Sequence, residues 1–353
     1  MDMYIKEWVN EFIDVAISFD SWMEMDRIYL QNRIETILAV DLNEAVPNHL
    51  AKQPDKLTQL LQLLPANLTN EDKGRIESEL GDLLTPPPSV VNALFAKTYE
   101  VDPKQATDYL YDLSKNNHSV SSHSFSEREL FCYPFIKENC LACYQQEGKL
   151  TNNFSLAKRF IRMNLANESW MLQYLSFPQL LKEGLVSYEE HQLLPVNQQT
   201  VQRLFQLATI LPQFTWVYRS QLEEELQHSC YHFARYTYPV LTDTSSKKSQ
   251  SLLFSDVQVE KLSSDLGISL SSANQKSLEQ AAYFILEQWK QQQPTESIQL
   301  VLRKQKEVYQ LVVTFQSASR LANNQTLGMS DSSMAQEEKT LTETWVEKVM
   351  AFL

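Results

Sequence analysis

Apolar side chains recur at helical intervals through the first third of the chain. Leu30, Ile34, Ile37 and Leu38 fall at offsets 0, 4, 7 and 8, as do Ile76, Leu80, Leu83 and Leu84, while Leu57, Leu60, Leu61 and Leu64 follow 0, 3, 4 and 7. Each set lines one side of a helix and predicts a single buried stripe. Ser21 with Glu24 reads as a capping box, and Asp102 before Pro103 as an N-cap with proline at the first helical position. Thr85-Pro86-Pro87-Pro88 must end the preceding helix, because proline has no amide hydrogen and restricts the residue before it.

From about Ser119 to Pro239 the period shortens. The stretches Arg159 to Leu165, Phe214 to Tyr218 and Cys230 to Tyr238 are rich in aromatic or branched residues and read as strands. Between them Val201, Leu204, Phe205, Ala208 and Leu211 mark a helix that Asn197 caps and Pro212 ends. The polar run Thr242 to Ser251 reads as a linker or long loop. Beyond it, Leu278, Ala282, Ile285 and Trp289 share one helix face, and Ile298 to Leu302 and Val308 to Phe315 are close enough to pair as a hairpin. Ser317 to Lys339 is polar and predicts a loop, and Leu341 to Phe352 predicts a last helix. The fold class expected is α+β, a helical N-terminal region followed by mixed antiparallel-sheet and helix segments. The divisions expected are 1–117 helical, 118–241 a first α+β domain, 242–252 a linker and 253–353 a second one.

The chain has 353 residues, with 31 Lys+Arg against 44 Asp+Glu and a formal net charge of −13. No diffuse positive field exists to gather nucleic acid or an anionic bilayer, so neither is an expected partner. Only 6 glycines occur, none as G-x-G, which removes the dinucleotide fingerprint and the Walker A loop and with them an NAD or ATP site. Four cysteines in a chain this long do not form a disulfide framework. With no basic and apolar leader after Met1 and no long apolar window, a reduced, cytoplasmic protein is expected.

Two motifs carry chemistry. Cys140-x-x-Cys143 has the spacing with which two thiolates meet one tetrahedral zinc, and His49, His118, His123, His191, His228 and His232 are available to complete such a site; two ordinary thiols are the other reading. In His228-Ser229-Cys230-Tyr231-His232, strand alternation would project His228, Cys230 and His232 to one side, as a nucleophile beside a metal ligand or as an ordinary surface strand. Glu223-Glu224-Glu225 is a solvated acidic patch, and Trp170, Tyr174 and Trp216 are packing residues. Arg159 and Arg162 near Asn164 could grip a phosphate or form structural ion pairs.

Four separated strings, in order, resemble the type 2 bacterial galactose-1-phosphate uridylyltransferases. They are Trp22 to Ile34 (WMEMDRIYLQNRI), Thr85 to Ala93 (TPPPSVVNA), Ala106 to Lys115 (ATDYLYDLSK) and Arg162 to Trp170 (RMNLANESW). The resemblance implies a histidine-triad-like α+β fold and exchange of a uridylyl group between UDP-glucose and galactose 1-phosphate in galactose metabolism, through a histidine that attacks the α-phosphorus. It also implies UDP-sugar and hexose 1-phosphate as ligands, with Arg162, Asn164 and Arg235 among the substrate-binding positions, and a homodimer or a heterodimer with an intact copy.

The family strand H-D-H-Y-Q-G-G corresponds here to His228-Ser229-Cys230-Tyr231-His232-Phe233-Ala234. Cys230 therefore stands at the nucleophile position, His232 at the phosphate-contacting glutamine, and Phe233 and Ala234 at two glycines, where they are expected to crowd the approach of backbone to phosphate. The glycine-bearing loop upstream is replaced by Gln221 to Gln227, and the family's distal histidines by Leu327 to Met334, which has none. Catalysis is expected to be impaired, the alternative being a non-catalytic paralogue that binds sugar nucleotide, regulates, or partners an intact enzyme. The zinc pattern is kept, since Cys140 and Cys143 precede Glu147-Gly148 as in the family, His191 follows Glu189-Glu190, and His228 is the surviving first histidine. A structural zinc on Cys140, Cys143, His191 and His228 is what the resemblance implies.

Overall fold

The computed structural model describes residues 3–120, 140, 142–150, 155–220, 228–242, 248–262, 267–292, 296–317, 346 and 349–350. The chain divides into two compact units: Met1–Ser124 with Cys143–Arg162 and Gln173–Pro178, and Phe125–Ala142 with Met163–Leu172 and Gln179–Leu353.

The first unit is helical, with α1 (Ile5–Ser18), α2 (Arg27–Leu38), α3 (Lys56–Leu61), α4 (Asn70–Leu83), α5 (Pro88–Val101) and α6 (Pro103–Asn116). The predicted stripes meet in one core, where Leu30, Ile34, Leu57, Leu60, Ile76 and Leu80 join Trp8, Phe12 and Ile13 of α1. The Asp102 carboxylate accepts from Lys104 N at 2.8 Å, with Pro103 opening α6, as the sequence predicts. α4 stops before the proline run, and Pro88 then opens α5.

The Ser21–Glu24 capping box is not formed. The Ser21 hydroxyl instead donates to the Leu84 carbonyl at 2.7 Å, and Trp22 Nε1 donates to the Leu83 carbonyl at 2.8 Å, so both serve carbonyls that the end of α4 leaves without helical partners. Met23 N finds the Asp26 carboxylate at 2.9 Å instead.

The second unit carries a ten-stranded sheet in the order β1-β2-β3-β5-β4-β9-β10-β8-β7-β6. The strands are β1 (Ile161–Leu165), β2 (Glu168–Tyr174), β3 (Gly184–Tyr188), β4 (Thr215–Arg219), β5 (Cys230–Ala234), β6 (Lys248–Gln250), β7 (Gln258–Lys261), β8 (Gly267–Ser272), β9 (Glu296–Gln305) and β10 (Val308–Ser317). Two helices join them, α7 (Gln198–Ile210) and α8 (Gln275–Gln292). The fold class is α+β, as expected.

Asn197 caps α7 by accepting from Gln199 N, and the whole predicted face of α8 is buried. The hairpin β9–β10 is longer than the sequence suggested, pairing from Val308↔Gln305 to Ser317↔Glu296. Lys248–Gln250, inside the stretch read as a linker, forms β6 against β7. Strands from 118–241 and from 253–353 lie in the same sheet.

One face of the central strands presents Trp216, Tyr218, Tyr231, Phe233, Leu300, Leu302 and Tyr309; it is covered by α7, whose Thr200 carbonyl accepts from the Tyr231 hydroxyl at 3.0 Å. The other face holds a smaller apolar strip of Val217, Val301 and Val312 under Tyr238, Leu241 and Leu262. Trp170, Tyr174 and Trp216 are buried, as predicted.

Of the predicted C-terminal helix, Val346 and Val349 are described and buried. The rest of it, and the 317–339 stretch beyond Ser317, lie outside the described residues. Among the described residues no helix is long and apolar enough to cross a membrane.

Candidate functional site

β5 sits between β3 and β4, with Ser187↔Cys230 and Leu185↔His232 on one side and Val217↔His232 on the other. It is an interior strand, and the surface-strand reading fails. It runs from Cys230 to Ala234, shorter than the sequence predicted, so His228 lies just ahead of it rather than in its side-chain alternation.

Backbone bonds set where His228 falls. Tyr188 N donates to the Ser229 carbonyl at 2.9 Å, Ser229 N to the Gln192 carbonyl at 3.0 Å, and Leu194 N to the Ser229 hydroxyl at 2.7 Å. These tie the turn bearing His191 against the entry to β5, and the two imidazole rings meet edge to face at 5.1 Å. The Ser187 hydroxyl donates to the Ala142 carbonyl at 2.6 Å, which fixes the C-x-x-C loop.

The result is a cluster in which ligand atoms of Cys140, Cys143, His191 and His228 all lie within 4.8 Å of one another. Three of these residues are buried and His191 is half-buried. Cys140 Sγ lies 3.4 Å from His228 Nδ1. A tetrahedral zinc with ordinary Zn–S and Zn–N bonds requires a sulfur-to-nitrogen edge of about 3.5 Å. His228 Nε2 stands 2.6 Å from the Tyr188 carbonyl, a pure acceptor, so the proton belongs on Nε2 and the lone pair of Nδ1 faces Cys140. The two-thiolate, two-imidazole donor set and the Cys140–His228 distance fit a zinc ion.

Further along β5, Cys230 and His232 share the face opposite α7, with Cys230 Sγ 3.7 Å from His232 Nε2. Burial pushes the Cys230 thiol up to about 12. Burial, helped by the nearby Arg219 guanidinium, pushes His232 down to about 4, so its imidazole is neutral at physiological pH.

Phe233 does not crowd this face. Its ring points the other way, into the core, 4.6 Å from Phe214 and 5.2 Å from Trp216, because strand alternation puts it opposite to its neighbours. Only the small Ala234 side chain is added on the side of Cys230.

The positions the resemblance marked for substrate have separate neighbours. Arg162 Nη2 lies 3.4 Å from the Glu147 carboxylate, Asn164 Oδ1 accepts from Asn167 N at 3.1 Å, and the Arg235 guanidinium lies over the Phe214 ring at 5.4 Å. Arg159 is structural: it donates to the Pro86 and Leu156 carbonyls and to Asp82 at 2.7 Å. His118 is held between Asp55 and Glu77.

Glu223-Glu224-Glu225 with the rest of Gln221 to Gln227, His123, and Leu327 to Met334 lie outside the described residues. The sequence reading passed over Arg219, whose signal was one arginine closing the otherwise apolar run Phe214 to Tyr218. It is half-buried and has no carboxylate partner among the described residues.

Residues 20–139 match the model of the family described as galactose-1-phosphate uridyl transferase, N-terminal domain. Over 330 residues the chain is 25% identical to a galactose-1-phosphate uridylyltransferase of Enterococcus faecalis, covering 81% of this chain and 66% of that protein. It is 27% identical over 335 residues to that of Staphylococcus carnosus, covering 81% and 66%, and 26% identical over 279 residues to that of Lactiplantibacillus plantarum, covering 66% and 56%. The chain spans less than two thirds of the length of these curated relatives. No solved structure matches it.

Proposed function

Starting from a chain related to the galactose-1-phosphate uridylyltransferases, we propose a zinc-braced protein that binds sugar nucleotide but does not carry out the ordinary exchange between UDP-glucose and galactose 1-phosphate. The observation that carries this reading is Cys230. A sulfur stands on β5 where the family likeness calls for the attacking imidazole, and the imidazole of His232 lies beside it at 3.7 Å.

A neutral imidazole attacks phosphorus with a lone pair it already holds, whereas sulfur attacks as a thiolate and must first lose its proton. His232 replaces a glutamine whose amide both donates and accepts; a neutral imidazole offers one of each in a different geometry. Zinc on Cys140, Cys143, His191 and His228 would have all four positions filled by protein, so it would brace the C-x-x-C loop against the entry to β5 and activate no water.

The test is turnover. Purified protein with UDP-glucose and galactose 1-phosphate, followed for UDP-galactose beside Cys230→Ala, is expected to give no product from either. Millimolar UDP-glucose is expected to raise the melting temperature through linkage. Product that vanishes in the Cys230→Ala protein would overturn the loss of catalysis, and an unchanged melting temperature would overturn the binding role.

A further inference from the structure

The strand register lays a row of polar positions across the face opposite α7. Thr215, Val217 and Arg219 of β4 share that face with His232 and Cys230, because Val217 pairs with His232 and β5 runs antiparallel; Arg219, two residues past Val217, is level with Cys230. Ser187 of β3 pairs with Cys230, Gln299 of β9 with Arg219, and Thr314 of β10 with Gln299. The next row holds Val217, Val301 and Val312 beneath Tyr238.

We propose that Arg219 is the cation of this face that receives the pyrophosphate of a sugar nucleotide. The proposal rests on the uridylyltransferase-like reading above and supplies the charge that Cys230 and His232 do not. In a chain of net charge −13, an anionic ligand needs a local cation.

Among the described residues of this unit, three other arginines are engaged. Arg203 is paired with Glu168, Arg235 lies over Phe214, and Arg303 donates to the Thr237 hydroxyl at 2.8 Å. Arg219 has no carboxylate partner among the described residues, and its charge is partly withdrawn from water. Among the described residues this half-buried guanidinium has no carboxylate to offset its desolvation, a bound phosphate would do so, and its planar fork matches two phosphoryl oxygens at once. The valine strip beside it lowers the local dielectric and strengthens that attraction.

The experiment is calorimetric titration of the full chain, wild type, Arg219→Gln and Arg219→Lys, with UDP-glucose, inorganic pyrophosphate and uridine. Arg219→Gln is expected to weaken UDP-glucose and pyrophosphate by roughly 10- to 100-fold, the loss of charged hydrogen bonds, and to leave uridine unchanged. Arg219→Lys is expected to recover part of the affinity, with steeper loss in salt than the wild type. Melting without ligand separates a folding defect from a binding one, and the lysine variant keeps the comparison available if the glutamine variant melts early.

UDP-glucose bound equally by wild type and Arg219→Gln overturns the proposal and leaves the family reading standing. Pyrophosphate bound through Arg219 by a protein that ignores UDP-glucose leaves Arg219 as an anion site but overturns both the sugar nucleotide proposed for it and the family reading. Binding of neither anion by the wild type overturns the proposal.

Discussion

Cys140 and His228 stand 88 residues apart in sequence and 3.4 Å apart at Sγ and Nδ1, with the far nitrogen of the same ring on the Tyr188 carbonyl. That carbonyl selects which nitrogen can bind a metal. Metal analysis of protein purified without chelator is expected to find close to one zinc per chain, and Cys140→Ser or His228→Ala to remove it. A zinc-free wild type with the same melting temperature would dismiss the metal.

A second ionic device lies in the helical unit. His118, in a left-handed conformation just past α6, contacts Asp55 through Nε2 and Glu77 through Nδ1, both at 2.5 Å. Burial alone would lower its pKa, but the hydrogen bonds and charges of Asp55 and Glu77 outweigh it and carry it up to about 9. Because the folded value lies above the unfolded one, near 6.5, the stabilisation is complete below that pH and disappears as the pH rises through about 9. Urea melts should lose about 2 kcal/mol between roughly pH 6.5 and 9.5, and His118→Gln should be weaker by that amount at the lower pH and flat across the range. A wild type with no slope in that window would refute the pairing.

Two glycines in α4 make opposite predictions. A Cβ at Gly81 would meet the Asn117 carbonyl oxygen at 2.5 Å, backbone that must shift, whereas a Cβ at Gly74 meets nothing within 4 Å. Gly74→Ala should stabilise by up to about 1 kcal/mol through helix propensity. Gly81→Ala should destabilise by about 1–3 kcal/mol through overpacking, despite the same gain in propensity. Equal melting temperatures for the two variants would show that α4 and the end of α6 are not in this contact.

Arg203 on α7 donates twice to Glu168 on β2, at 2.8 Å each, with its guanidinium 5.5 Å over Trp170. Arg203 is buried, and Glu168 keeps partial access to water. Arg203→Met should cost about 3 kcal/mol, because it strands a carboxylate, and Arg203→Met with Glu168→Gln should cost less than the single change. Additive effects in chemical denaturation would mean the pair is not coupled.

Helices with one buried stripe were legible from spacing alone, as α2, α4, α7 and α8 show. α1 and α5 were passed over, although Trp8, Val9, Phe12 and Ile13 are all buried on α1. β2 and β3 were missed for a physical reason: Trp170 to Tyr174 and Gly184 to Ser187 are buried on both sides, so no alternation of polar and apolar residues marks them. Ser21 misled because a serine three residues before a glutamate looks the same whether it caps its own helix or the end of another. The C-x-x-C motif could be read from spacing, but among the six candidate histidines His191 and His228 were singled out as its partners only through family likeness, since their approach depends on β3 and β5 being neighbours. Arg219 showed in the sequence only as an arginine ending the run Phe214 to Tyr218, and its place level with Cys230 depends on the strand register.

The strand order also constrains how the chain is made. β4 pairs on one side with β5, its near neighbour in sequence, but on the other with β9, as Thr215↔Arg303 and Trp216↔Leu302 record. A nascent chain leaving the ribosome must therefore carry Trp216 and Val217 on an open strand edge until residues 296–305 emerge, since the partner that closes it has not yet been synthesised. Premature termination after the first strands would release an adhesive edge rather than a small stable domain.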